Sequence, residues 1–467
     1  EKVLKYFQDL SRSGPGGFLR AGFFMERGSA PTERSFSVKK QQKDILVIGF
    51  ALFAMFFGAG NMIFPPKLGL QTGSQWAVGF LSFTFADAGL ALLTILAMIR
   101  GTGSLEGITR RVGSWASTLL GVSVFLCLGP LMAIPRTAAS TFELGVAPLL
   151  NTEARVPFAL VFFALVFLLT VRPSKVIDII GKFLTPALYI ALLVMIVQGI
   201  TNPVGSVVDT GASAVFAEGL KAGYQTMDMF GAIIFTVLIT ATLKERHYEG
   251  KNALRVTVFS GIVAAVGLAI VYGGLAYLGA TGSGVYEQSI GQTALLIRIM
   301  ETTMGHGGLI LLAIVVALAC LTTAIGLTSA AASYFSGLTR NKVSYTAFVT
   351  IICVFSAVVS NFGIDTIVSF SSPILTVVYP AVLTLVVLSF FDKKIHNDWV
   401  FQFATAGAFV ISLLEVLSGY IPSLDFVMKL PLSSLGFGWV LPAAICGLLG
   451  ALLGKNRGVK RQEAAGE

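Results

Sequence analysis

The stretch Phe56-Phe57-Gly58-Ala59-Gly60-Asn61-Met62-Ile63-Phe64-Pro65-Pro66 decides how the whole chain is read. It falls inside an apolar run beginning near residue 44, where a helix crossing a bilayer would otherwise be regular. Each Gly costs about 1 kcal/mol against Ala in a helix interior, so two of them beside an Asn make poor mid-membrane helix. Unwound backbone at that depth is tolerated only where it is buried in protein or lines a cavity. There it offers carbonyls to a cation, and amides at a half-helix N-terminus to a carboxylate. The same spacing also fits a small-residue face for helix packing, and spacing alone does not choose between the two.

The membrane setting follows from composition. Of 467 residues, 55% are hydrophobic and 12% charged, against about 25% charged in soluble domains. The apolar residues come in blocks of about 20, the length that crosses a hydrocarbon core of roughly 30 Å as helix. They lack the ~10-residue alternation of a membrane barrel. The fold class is therefore an all-α polytopic membrane protein. Twelve transmembrane helices are expected, at 44–64, 75–99, 114–136, 156–171, 176–199, 226–243, 256–280, 308–335, 343–361, 364–391, 399–418 and 434–453. Arg172, Pro173, Ser174 and Lys175 read as a tight turn between the fourth and fifth.

The net charge of +9 does not point to nucleic acid, because the basic residues sit in alternate loops. With the N-terminus inside, 27 of the 33 Lys and Arg fall on inner segments and 6 (Lys67, Arg136, Arg155, Lys221, Arg298, Lys429) on outer ones. By the positive-inside rule both termini are cytoplasmic, in an inner membrane. Residues 1–43 read as a cytoplasmic, disordered segment rich in Gly, Ser, Pro and Arg. They carry no apolar core of a signal peptide, and Met25 is a candidate start. Residues 455–467 read as a cytoplasmic tail. Cys127, Cys320, Cys353 and Cys446 all lie in apolar runs and read as small buried hydrophobes.

A second interruption opens the sixth span. Gly223-Tyr224-Gln225-Thr226-Met227-Asp228 sets polar side chains directly before Met229-Phe230-Gly231-Ala232-Ile233. Paired discontinuities in corresponding helices of two halves point to a transporter's binding site; the bland alternative is a polar start to an ordinary helix. A second correspondence links Cys127-Leu128, nine residues, then Ala138-Ala139-Ser140-Thr141-Phe142 with Cys320-Leu321, nine residues, then Ala331-Ala332-Ser333-Tyr334-Phe335. These lie in the third and eighth spans, so the repeat unit would be five helices and the second copy inverted. Thr322 and Thr323 in the eighth span offer the hydroxyl oxygens a hard monovalent cation needs, or simply bond back to their own helix.

Charges within spans add candidates. Asp87, near the middle of the second span, is functional by default at that depth, either in proton coupling or as a structural hydrogen bond holding the first break open. Asp228 is a candidate contact for a substrate ammonium. Arg136 and Glu143 are expected to flank the outer end of the third span and to pair there, as a gate or as a solvated bridge. Glu415, in the eleventh span, reads as a packing or dimer contact. Residues 281–307 are too polar to span, yet Leu295, Leu296, Ile297, Ile299 and Met300 make them amphipathic, an external lid.

At this point the residues from Gly49 through the first break to Gly69 closely resemble the branched-chain amino acid:cation symporter family, within the amino acid–polyamine–cation superfamily. The Cys-Leu-Gly-Pro stretch at 127–130 and the Thr-Thr-Ala-Ile-Gly-Leu run at 322–327 share in the likeness, which covers nearly all of 44–454. The resemblance implies a five-plus-five inverted repeat (leucine-transporter-like fold) with broken helices 1 and 6. It also implies a ten-helix core at 44–391 and two peripheral helices at 392–454. It implies import of leucine, isoleucine or valine. Gly58, Ala59, Gly60 and Asn61 would bind the substrate carboxylate, and Tyr224, Thr226 and Asp228 would help hold the amino group. Phe230 and Ile233 would line the side-chain pocket. Ala54, Phe57, Ala319, Thr322 and Thr323 would form a sodium site. Asn252 is the one Asn near the seventh span and lies at its cytoplasmic end, so a second sodium site is not expected.

Other classes fit less well. The chain has no G-x-x-x-x-G-K-[ST] phosphate loop and no charged ring or repeated pore segment. Its three histidines (His247, His306, His396) map to loops, so no catalytic cluster lies in the membrane and no enzyme is expected. No cofactor is expected beyond a coupling cation, Na+ or else H+. The alternative function is a proton-coupled transporter of another small solute (a nucleobase, another amino acid or a metal ion).

Overall fold

The computed structural model describes residues 38–100, 105–171, 175–392 and 394–454, and every regular element among them is helical. The expected N-terminal segment up to residue 37, the turn at 172–174 and the tail 455–467 lie outside the described residues. Among the described residues the helix of the first span is already present at Val38, ahead of the expected 44, because Lys and Gln are good helix formers and continue the helix past the apolar run.

Seven helical runs among the described residues are long and apolar enough to cross a membrane, with shorter apolar helices at Arg155–Val171, Pro186–Thr201 and Val440–Leu453. Length alone thus distinguishes fewer than the twelve spans expected, partly because two of them are split. The first span is Val38–Phe56 and Ala59–Thr72. The sixth is Val215–Tyr224 and Asp228–Glu245. Both breaks fall where the sequence places them.

The third span corrects its expected length. It runs from Ser114 on to Leu150, with π turns at Cys127–Leu131 and Thr141–Val146. The expected end at residue 136 misread Arg136 as an exit to water, whereas this Arg is buried. The π turns accommodate Pro130, which has no N–H to give an α-helix.

The third and eighth spans pack against each other reciprocally. An added Cβ on Gly129 would lie 3.3 Å from the Ala331 side chain, and Phe125 stacks on Tyr334 at 3.9 Å between ring centroids. At the other end of the crossing Thr141 meets Cys320. The Cys-Leu end of each helix therefore faces the Ala-Ala-Ser end of the other, as a two-fold axis between inverted copies requires.

Within residues 281–307 a helix begins at Gln292, set off from the eighth span by Gly305 at φ 60°, ψ −148°. Leu295, Leu296, Ile299 and Met300 are buried beneath it. The Lys67 ammonium, on the C-terminal half of the first span, donates to the carbonyls of Gln288 (2.7 Å) and Ile290 (2.5 Å).

Candidate functional site

The two breaks meet at one residue. At the first, Phe57 closes the lower half by donating its N–H to Phe53 O at 2.8 Å, and Gly58 is extended at φ −115°, ψ −168°. The helix restarts at Ala59. Asn61 then folds back: its Oδ1 accepts the Gly58 N–H at 3.1 Å. Its Nδ2 donates to Asp228 Oδ2 at 2.9 Å and to the Tyr272 hydroxyl at 2.5 Å. One amide thus caps the first break, reaches the second and engages the seventh span. The N–H groups of Ala59, Gly60 and Asn61 have no acceptor within the helix, as at any helix start. They form a positive end suited to a carboxylate.

The second break uses different means. Met227 takes the left-handed conformation, φ 67°, and donates its N–H to Tyr224 O at 3.2 Å. A Met there costs of order 1–2 kcal/mol, so the surroundings must hold it. Arg136 does so from the third span: Nη1 donates to Gln225 O at 2.6 Å and Nη2 to Thr226 O at 3.4 Å. The same guanidinium lies against the first break, where an added Cβ on Gly60 would sit 3.0 Å from Nη2. The Phe64 ring would be equally close to that Cβ, at 2.9 Å, so Gly60 leaves room for both side chains.

This corrects the expected pairing of Arg136 with Glu143. Glu143 accepts from Arg155 Nη1 at 2.6 Å, from Ile364 N–H and from Thr293 at 3.2 Å. It ties the third span to the helix at Gln292 and to the start of the tenth. The misreading came from placing both charges together at the end of the span.

Asp87 sits in a π turn, Phe85–Gly89, that carries it off the lipid-facing side into this cluster. Its carboxylate is fully buried beside Thr226, Tyr272 and Asp228, without a hydrogen bond of good geometry. It makes no hydrogen bond to the first break, which Asn61 holds. The Tyr272 hydroxyl accepts from Asn61 and keeps its own proton for a second acceptor. The cluster thus sets two carboxylates against one guanidinium in a site where Asn61, Thr226, Asp228 and Phe230 are all buried.

Phe230 and Ile233 are also buried, and Phe230 packs on Tyr379 of the tenth span with ring centroids 4.4 Å apart. Tyr379 stacks on Tyr224 at 4.5 Å. Tyr272, Tyr379 and Arg136 were not singled out as site residues by sequence reasoning. A buried Arg in an apolar run was the one available signal.

Of the eighth-span residues that the resemblance puts at a cation site, Thr323 lies against the first break: its Oγ1 would be 3.7 Å from a Cβ on Gly58. Its hydroxyl makes no hydrogen bond among the described residues. Thr322 bonds back to Leu318 O and Ala319 O, both at 3.0 Å, so the Ala319 carbonyl already has a donor. Phe57 is buried and Ala54 half-buried in the lower half of the first span. At the N-terminal end of that half, Asp44 pairs with Arg246 and accepts the Tyr248 hydroxyl at 2.8 Å. Burial, then this hydrogen bond, push Tyr248 up to about 12, so it stays a donor at physiological pH.

Paired breaks, an amide-lined helix start and buried carboxylates within a helical bundle define a membrane carrier built from two inverted halves. Solved structures share the architecture. The inward-facing conformation of Mhp1 matches with a TM-score of 0.55 at 12% identity, over 87% of this chain and 90% of that one. A manganese transporter of Eremococcus coleocola matches at 0.55 and 13% identity, over 91% and 97%. The fold is the leucine-transporter-like five-plus-five inverted repeat.

The family is shown by sequence. Residues 41–457 match the family model described as branched-chain amino acid transport protein, and the chain belongs to that family, one of carriers rather than enzymes. It is 36% identical over 436 residues to the branched-chain amino acid transport system 2 carrier protein of Pseudomonas aeruginosa, covering 90% of this chain and 98% of that protein. It is 37% identical over 434 residues to the branched-chain amino acid permease BrnQ of Escherichia coli, covering 90% and 97%. With BraB of Bacillus subtilis it shares 36% over 427 residues, covering 88% and 95%.

Proposed function

We propose that this chain imports leucine, isoleucine or valine by symport with a cation, sodium in the first instance. The observation that carries the reading is Asn61, which joins the capped first break to Asp228 at the second. The amides of Ala59, Gly60 and Asn61 would receive the substrate carboxylate. Asp228, with Tyr224 and Thr226, would receive the ammonium. Phe230 and Ile233 would shift from Tyr379 to admit a branched side chain.

Sodium would sit between the two spans, on carbonyls near Ala54 and Phe57, the Ala319 carbonyl and the Thr322 and Thr323 hydroxyls. Bracing the first span against the eighth would favour the outward-open state, since an ion drives a transition only through unequal affinity for the two conformations. The first, second, sixth and seventh spans would then rock against the rest within a core at 44–391, both termini cytoplasmic. The buried Asp87–Asp228 pair favours one second reading, proton coupling through that pair.

The test is uptake of labelled leucine into proteoliposomes under a sodium gradient, a proton gradient, or neither. Accumulation that needs sodium and vanishes in Thr322→Ala/Thr323→Ala supports the reading. Uptake driven by protons alone moves coupling to the carboxylates. No uptake under either gradient overturns the substrate.

A further inference from the structure

A hollow of about 1520 Å³, which takes no part in the transport site, lies between the second span and the last. Leu93, Leu388, Ala404, Ala444 and Leu448 line it, with Phe85 along one wall. It exists because helix Val440–Leu453 packs closely along helix Asp398–Ser418. An added Cβ on Gly407 would lie 2.9 Å from Cys446 Sγ, and one on Gly450 2.4 Å from the Trp399 carbonyl. That intimacy draws the last helix toward its neighbour and leaves its other face standing off the second span.

Apolar walls give water too few partners to settle there, and left empty they would forfeit their dispersion contacts. In a bilayer the filler at hand is an acyl chain. A wall of 14 residues is about 21 Å long, more than half of a hydrocarbon core of roughly 30 Å, so one chain of one leaflet fits along it. Exposed Lys394 and His396 line one end. No ion pair among the described residues uses Lys394. The acidic neighbours Asp392 and Asp398 are both held by Arg111, at 2.6 and 2.7 Å.

We infer that this hollow binds one anionic glycerophospholipid, its acyl chain between the second and last spans and its phosphate at Lys394 and His396. The charge asymmetry along the sequence assigns that end to the cytoplasmic leaflet. Phe85 opens the π turn that carries Asp87 into the transport site, so the lipid chain backs the wall on which Asp87 stands.

The test is native mass spectrometry of the full chain in mild detergent, with phosphatidylglycerol and phosphatidylcholine offered in equal amounts. One phospholipid should stay bound per chain, phosphatidylglycerol preferred. Lys394→Gln should cut that preference about fivefold, the weight of one Lys near an anionic surface. Ala444→Trp/Ala451→Trp, both exposed positions on the hollow's wall, should abolish retention while the thermal midpoint holds. Retention equal to wild type in the Trp variant overturns the site, and an unchanged preference in Lys394→Gln overturns the headgroup contact even if the Trp variant fails to fold. A wild-type dimer that the Trp variant splits without releasing lipid would overturn the lipid in favour of a second copy.

Discussion

The two breaks in the membrane do similar work by opposite means. The first is self-contained in its cap: Gly58 is extended, and Asn61, three residues on, accepts its N–H. What it leaves free is amide N–H, a positive end. The second has no glycine at its left-handed residue, Met227, and its carbonyls are claimed by a guanidinium brought from another span. What it contributes is a carboxylate. A break that supplies its own cap can move as a unit, whereas one held by Arg136 is fastened to the third span. Transport would therefore have to loosen or carry that fastening.

The sharpest way to break this comparison is Asn61→Ala. It strips the cap from the first break and a donor from Asp228 in one step, at about 1–3 kcal/mol for each buried group left unpaired. Leucine uptake should be lost and the thermal midpoint lowered; normal uptake would mean that the first break does not need its cap. Arg136→Lys comes next. It keeps the charge but not the planar fork, so uptake should fall at least tenfold, equal to about 1.4 kcal/mol, while the protein still folds. If Arg136→Ala behaves like wild type, the second break is as self-contained as the first.

Thr323→Ala should act more narrowly. With one hydroxyl lost near Gly58, the sodium concentration for half-maximal uptake should rise several-fold, with the maximal rate at saturating sodium retained. Tyr248→Phe should do least. It removes one hydrogen bond to Asp44, about 0.5–1.5 kcal/mol. Because the hydroxyl is pushed up to about 12, wild type and variant should show parallel pH profiles from 6 to 9 for uptake.

Much of the fold was legible because hydropathy reports burial in lipid directly. Gly58, Gly60 and Asn61 announced the first break, since glycines are costly in a helix that has no other reason for them. The second break showed only as polar residues before an apolar run; Met227 carries no mark of its left-handed backbone. Arg136 was misread for a physical reason: a charge in sequence looks like an exit from the membrane, and its partners, the Gln225 and Thr226 carbonyls, are 89 and 90 residues away. Tyr272 and Tyr379 were invisible for the same cause. Aromatic residues are ordinary in spans, and only packing across the repeat shows which ones meet Asn61, Tyr224 and Phe230. Thr322 and Thr323 are adjacent in sequence yet part company in space, one bonded to its own helix and the other turned to Gly58.

The central claim is that the two breaks hold opposite ends of one amino acid. Competition against labelled leucine uptake tests it most directly, using 4-methylpentanoate, which lacks the ammonium, and 3-methylbutylamine, which lacks the carboxylate. Unlabelled leucine should compete fully and both one-ended analogues should fail at the same concentration. Either analogue competing as well as leucine would contradict the account, and would show which break the substrate does not need.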